Sequence, residues 1–348
     1  MIYLDYAATY PGVKYPIPKM LPVAAMNPNA NYSFGEREAL VNCEEEIKNV
    51  LGVKTGHILY FRCATDAASW LVEKFKVAQD NIHIGHCPYE HNACCYGVEL
   101  AANKIDDIYY KNLDVYFHQW VNQLTGQVFD LQEIKNNLPQ KCFLLVDMTA
   151  GFGKVSLPDN IDKYADSVFM SGHKIGCPYL SFCWISDRLF RFFKGKNDIR
   201  NQYGLHYGSL TCSCIGISGV AYREENQNFD LYQARYRRLL RALKTILDYH
   251  NINYQIVCPN ENNSICSITL KGVNAEALQA WLAEKEIFIG VGGSACSESQ
   301  DFRVLKAYGL SPLEAASTIR ISFGKETTID EVEEFANVLV DYIRIYIK

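Results

Sequence analysis

The sequence predicts an α/β protein: a large domain on a mostly parallel seven-stranded sheet, followed by a smaller α+β domain. Three observations carry this. Apolar, β-branched runs alternate with helical patterns over the first half of the chain, as strands buried between covering helices do. Beyond residue 249 the texture changes to a compact α+β pattern. A chain of 348 residues, 49% of them apolar, is also long enough for a large core and two domains.

The strands of the first part are expected at 57–63 ("HILYFRC"), 81–87 ("NIHIGHC"), 104–110, 114–120, 141–147 ("KCFLLVD"), 166–171 and 180–186. Helical patterns lie between several of them, at 38–51, 66–78, 92–103 and 130–137. A long helical region follows at 216–249. Within it, Leu239, Leu240, Leu243, Ile246 and Leu247 recur at helical spacing, so the basic run "RYRRLLRALK" (235–244) reads as the wet face of a core helix. The last part holds "SICSITLKG" (264–272), a helix near 274–286, "IFIGVGG" (287–293), "TIRISFG" (318–324) and a closing helix from Thr328. That helix carries Asp330 and Glu331 in its first turn. It sets Val332, Phe335, Val338, Leu339, Tyr342, Ile343 and Tyr346 on one stripe. The expected division is 14–245 for the large domain, with 1–13 and 246–348 forming the small one.

A formal charge of −5 and a pI near 5.9 leave no electrostatic footprint for nucleic acid or an anionic membrane surface. No apolar run approaches the ~20 residues of a membrane span and no leader-like segment stands at the start, so a cytoplasmic protein is expected. The thirteen cysteines include no C-x-x-C pair. Most are expected to be reduced and buried, and no metal site is expected.

In an open α/β sheet, ligands bind beyond the carboxyl ends of the strands. Four such ends carry chemistry. In "FRCATDAAS" the backbone at Ala64 and the Thr65 hydroxyl stand where a helix begins, a position suited to a phosphate. "CPYEHNACC" puts His91 at the mouth of the sheet, where its ring can stack on a planar group or move a proton. "LLVDMTAGFGK" closes an apolar strand with Asp147, a carboxylate that needs a cationic partner there. "VFMSGHKIGCPYLS" (168–181) places Ser171 and His173 as phosphate donors and Lys174 as an amine nucleophile. Phosphate site, buried carboxylate, stacking ring and lysine together describe a pocket for pyridoxal 5′-phosphate.

With these residues in place, the chain resembles the class V aminotransferases among fold-type I pyridoxal-phosphate enzymes, and within them the NifS/IscS-type cysteine desulfurases. The matching segments are "IYLDYAAT" (2–9), "NPNANYSFG" (27–35), "CATDAAS" (63–69), "YEHNA" (89–93), "VDMTAGFGK" (146–154), "SGHKI" (171–175), "GGSACSE" (292–298) and "IRISFGKETTIDEV" (319–332). The resemblance implies that Lys174 holds the cofactor, Asp147 faces its ring nitrogen and His91 stacks on the ring. Ala64, Thr65, Ser171 and His173 would bind the phosphate, and Ser209 in "HYGSL" (206–210) would reach it from the other subunit of a homodimer. Arg320 and Asn31 would hold the substrate, and Cys296 would be the nucleophile that takes sulfur from L-cysteine as a persulfide for an acceptor protein.

Four positions depart from the family pattern. Gln123 in "VNQLTG" stands where asparagine contacts the cofactor, Ala150 replaces a glutamine, and His206 replaces an arginine. The stretch "GCPYLSF" (176–182) lacks the usual glycines. The implied activity is cysteine desulfurase, with iron–sulfur assembly, tRNA thiolation and sulfur modification of DNA as the open destinations for the sulfur. The alternatives are a selenocysteine lyase, another pyridoxal-dependent aminotransferase or lyase, and a catalytically weak scaffold subunit of a thiolation complex.

Overall fold

A computed structural model describes residues 1–15, 34–99, 112–177, 180–207, 210, 212–227, 229–259, 262–292 and 302–347. In chain order its strands are β1 (Ile2–Leu4), β2 (His57–Phe61), β3 (Ile84–His86), β4 (Val115–Gln119), β5 (Phe143–Asp147), β6 (Ser167–Met170), β7 (Ser181–Ile185), β8 (Tyr254–Ile256), β9 (Ile265–Leu270), β10 (Ile287–Val291) and β11 (Thr318–Ser322). Its helices are α1 (Phe34–Leu51), α2 (Ala64–Ala78), α3 (Asn92–Glu99), α4 (Leu131–Asn137), α5 (Asp187–Phe192), α6 (Cys212–Gln227), α7 (Phe229–Tyr249), α8 (Ala275–Ala283), α9 (Arg303–Ala307), α10 (Pro312–Ala316) and α11 (Ile329–Tyr346).

The chain forms two units. The large one comprises Gly12–Trp120 and Phe129–Asn228; the small one comprises Met1–Pro11, Val121–Val128 and Phe229–Lys348. This differs from the expected division in three places, the smallest being that the large unit starts at Gly12 and not at residue 14. Helix α7 belongs wholly to the small unit, because Tyr236, Leu239, Leu243 and Leu247 on its buried face join the core built with Ile268 and Ile321. Residues 121–128 belong there too: Ser267 Oγ donates to the Leu124 carbonyl at 2.7 Å.

The large unit is built on a sheet of order β2-β7-β6-β5-β4-β3. Strands β3 to β6 pair in parallel, and β7 runs antiparallel to both β6 and β2. Six of the seven expected strands are thus present; the seventh, 104–110, lies outside the described residues. Every residue of β4, β5, β6 and β7 is buried, as strands covered on both faces must be. One side of the sheet packs Phe117, Leu145 and Phe169 against Leu71 and Phe75 of α2. Local chemistry sets the ends of the helices. Asp130 accepts from the N–H groups of Gln132 and Glu133 to start α4, and Ser186 caps α5 through the Leu189 N–H.

The small unit carries a second sheet, of order β1-β10-β11-β9-β8, in which β1 is parallel to β10 and the other pairs are antiparallel. Leu239, Leu278 and Leu339 bring α7, α8 and α11 into its core. Thr328 and Glu331 close a reciprocal capping box at the start of α11. The expected stripe on that helix is corrected at its end. Tyr346 is 56% exposed, while Ala336 and Val340 are buried, because the core covers fewer turns than the apolar pattern spans.

Candidate active site

Because β2, β3, β4, β5 and β6 all run the same way, their carboxyl ends share one edge of the large sheet. Residues 62–65, 87–91, Asp147 and 171–174 follow those ends. Asp147 pairs in register with Phe169 of β6 on one side and Gln119 of β4 on the other. Lys174 lies in a short 3-10 turn, Gly172–Ile175, immediately after β6. Gly176, with φ 78°, closes the turn by donating to the carbonyls of Gly172 and His173. A Cβ on Gly172 would come 2.2 Å from the Leu180 carbonyl oxygen, so the turn is packed against backbone and glycine is needed there. Ser171 is buried. Burial and the adjacent Lys174 ammonium push the His173 imidazole down to about 4, so this ring is a neutral hydrogen-bonding group near pH 7.

Asp147 is 9% exposed. Its Oδ1 accepts from the Thr149 N–H at 2.8 Å, and it makes no ion pair among the described residues. The Thr149 hydroxyl oxygen beside it is buried, again with no hydrogen-bond partner among the described residues. A carboxylate at that depth calls for a cation, and the protonated ring nitrogen of pyridoxal phosphate is a cation of the right kind. The residues present therefore fit this cofactor.

His91 accepts the Ala93 N–H at Nδ1, 3.2 Å away, which puts the proton of a neutral ring on Nε2. The His91 backbone N–H donates to Glu90 Oε1 at 3.0 Å. Ala64 is buried and Thr65 exposed in the first turn of α2; Cys63, the residue before the helix, makes no side-chain bond to its first amides. His206, expected near the other subunit, stacks on Phe61 at 4.7 Å between ring centroids.

Sequence reasoning missed Glu90, which lies in the quoted "YEHNA" segment, and Gln119, whose side-chain amide donates to the Tyr89 carbonyl. Glu90 is fully buried; oxygens of Glu90 and Asp147 and the Cys94 sulfur all lie within 4.8 Å of one another. Burial, and then the Asp147 charge, push the Glu90 carboxyl up to about 8.

The small unit holds Arg320 and Gln123. Arg320, 2% exposed on β11, pairs through Nη2 with Asp5 Oδ1 at 2.6 Å and donates from Nη1 to the Gln123 carbonyl at 3.2 Å. The two Nη groups expected to fork a substrate carboxylate are thus already engaged. The Arg320 Nε and Gln123 Oε1 are buried without a hydrogen-bond partner among the described residues. Cys296, Ser209 and Asn31 lie outside the described residues. Eleven of the described cysteines, Cys214 and Cys266 among them, form no disulfide. No described helix is long and apolar enough to cross a membrane.

Fold and site define an α/β scaffold of fold type I, with a lysine and a buried carboxylate at neighbouring strand ends. The chain belongs to the class-V aminotransferase family, whose sequence pattern matches residues 2–335, and is accordingly a pyridoxal-phosphate-dependent enzyme. It is 26% identical to a protein named cysteine desulfurase IscS from Buchnera aphidicola subsp. Baizongia pistaciae, over 95% of this chain and 90% of that one. A solved structure described as a NifS-like protein superposes with a TM-score of 0.84 at 19% identity, covering 99% of both chains. A second, described as SspA in complex with cysteine, gives a TM-score of 0.71 at 20% identity over 93% of this chain and 99% of that one.

Proposed function

We propose that the protein is a cysteine desulfurase, converting L-cysteine to L-alanine and leaving the sulfur as a persulfide on Cys296. The observation that carries the cofactor part of this reading is Asp147, a buried carboxylate with one hydrogen bond and no cation among the described residues. The substrate part is supported by relatives named cysteine desulfurase and by the cysteine in the SspA complex. When bound, the cofactor supplies an electron sink for the charge left as an amino acid loses its Cα proton. Asp147 keeps the ring nitrogen protonated, and the neutral His173, with Ser171, Ala64 and Thr65, donates to the phosphate. Lys174 would anchor the cofactor, and its amine would take the Cα proton of the substrate. His91 would stack on the ring and could exchange a proton through Nε2.

Arg320, oriented by Asp5, provides the positive charge for the substrate carboxylate, and Asn31 a further polar contact. The Cys296 thiolate attacks the substrate sulfur: one S–S bond forms, the Cβ–S bond breaks, and the alanine methyl gains the one hydrogen that the two thiols lose. A sulfur-acceptor protein then takes the persulfide. We place the reaction in a cytoplasmic homodimer, with Ser209 contributed across the dimer. The persulfide would serve iron–sulfur cluster assembly or tRNA thiolation.

The test is turnover of L-cysteine by the purified, cofactor-loaded protein with a thiol reductant present. Alanine and sulfide are expected in equal amounts, and the Cys296→Ala variant is expected to lose both while keeping the visible cofactor band. Unchanged turnover in that variant refutes the persulfide route. A cofactor-bearing wild type that leaves L-cysteine intact refutes the desulfurase reading altogether.

A further inference from the structure

We propose that Glu90 is a positioning residue for the cofactor's ring nitrogen: it is the proton-bearing member of a buried carboxyl pair with Asp147, the residue that would face the ring. The inference rests on the cofactor and not on the choice of substrate, so it stands even if the desulfurase reading fails.

The geometry comes first. Glu90 leaves the loop after β3 with no exposed surface, and its carboxyl comes within 4.8 Å of Asp147 at the end of β5. Two carboxylates at that spacing in a dry site cannot both ionise without strong repulsion. Their surroundings decide which one keeps the charge. Asp147 lies at the sheet edge with the Thr149 N–H on Oδ1. Glu90 accepts the His91 N–H on Oε1 and a long contact from the Cys87 thiol, 3.6 Å, on Oε2. A backbone hydrogen bond from Gln119 also favours its charged form, but burial outweighs these bonds and the carboxyl is pushed up to about 8. Among the described groups facing it are the Cys87 and Cys94 thiols, both driven upward by burial and therefore neutral. Near pH 7 Glu90 thus stands as an internal acid beside Asp147.

The consequence is a second acid–base step felt by the cofactor. When Glu90 ionises, a second negative charge appears behind Asp147 and changes the field at the ring nitrogen, and with it the visible absorption. Glu90→Gln keeps the size and the neutral, hydrogen-bonding character, so cofactor content should stay within about twofold of wild type.

The experiment is a titration of the visible cofactor band of the holoprotein from about pH 6 to about pH 10, in wild type and Glu90→Gln. Wild type is expected to show a step centred near 8 that is absent in the variant. The same step in both proteins overturns the proposal. If the variant does not fold, infrared spectroscopy of the wild-type holoprotein with ¹³C-labelled glutamate decides. A protonated glutamate carboxyl signal at about pH 6, lost by about pH 10, supports the assignment, and its absence at the lower pH overturns it.

Discussion

Replacing Arg320 by alanine tests how the small unit holds its guanidinium ready. The side chains of Arg320 and Asp5 are 3% and 16% exposed, and their charged atoms are 2.6 Å apart. At that separation the attraction is roughly 6 kcal/mol for an effective dielectric constant near 20, most of it offset by the desolvation of both ions. Arg320→Ala removes the attraction but leaves the Asp5 charge in place, so the expected loss of stability is about 3–5 kcal/mol. In the Asp5→Asn/Arg320→Ala double variant no charge is stranded. Its loss should fall short of the sum of the single losses by about 1–3 kcal/mol. Urea denaturation of the four cofactor-saturated proteins, followed by circular dichroism, closes the cycle. A loss below about 1 kcal/mol for Arg320→Ala, or additivity within about 0.5 kcal/mol, refutes a pair that positions Arg320.

Glu90 also sets a pH dependence of stability. Its carboxyl is raised from 4.5 in the open chain to about 8 in the fold, so the folded state binds that proton more tightly. The contribution is complete below pH 4.5 and is lost as pH rises through about 8. Melting temperatures of wild type minus Glu90→Gln should therefore decline across that window and level off above it; a difference independent of pH contradicts a buried, protonated Glu90. Gly172→Ala should displace the lysine turn, because the new Cβ meets the carbonyl oxygens of Leu180 and Cys177 at 2.2 and 2.4 Å. Overpacking of about 1–3 kcal/mol should lower cofactor affinity about 10-fold or more by equilibrium titration; unchanged affinity would show that the turn adapts without moving Lys174.

Much of the candidate site's layout was legible because strand ends are local. An apolar run closing on Asp147, and another closing on Ser171 to Lys174, place their side chains at one sheet edge once the strands are parallel. The closing helix was legible from its apolar stripe and its acidic first turn, Asp330 and Glu331. What the sequence hid depends on contacts between distant segments. Asp5 and Arg320 meet across 315 positions, a pairing that no periodicity encodes. Glu90 reads as a polar loop residue until the sheet brings β3 and β5 to either side of β4. Residues 121–128 look like a continuation of β4. They join the small unit where Gly126, with φ 76°, lets the backbone pass so close to Ile265 that a Cβ would lie 2.5 Å from its carbonyl oxygen. Strand β8 escaped notice because Tyr254, Gln255 and Ile256 are partly or fully exposed and carry no buried run. Helix α7 was divided at 245 because its apolar stripe gives no sign of which core it serves.

The central claim is that Lys174, at the end of β6, is the amine that carries the cofactor. Borohydride reduction of the holoprotein, digestion and mass spectrometry locate the pyridoxyl group directly. The account predicts it on Lys174 and on no other lysine, with labelling abolished in Lys174→Ala. A label on Lys154, a lysine buried in the same unit, would contradict it.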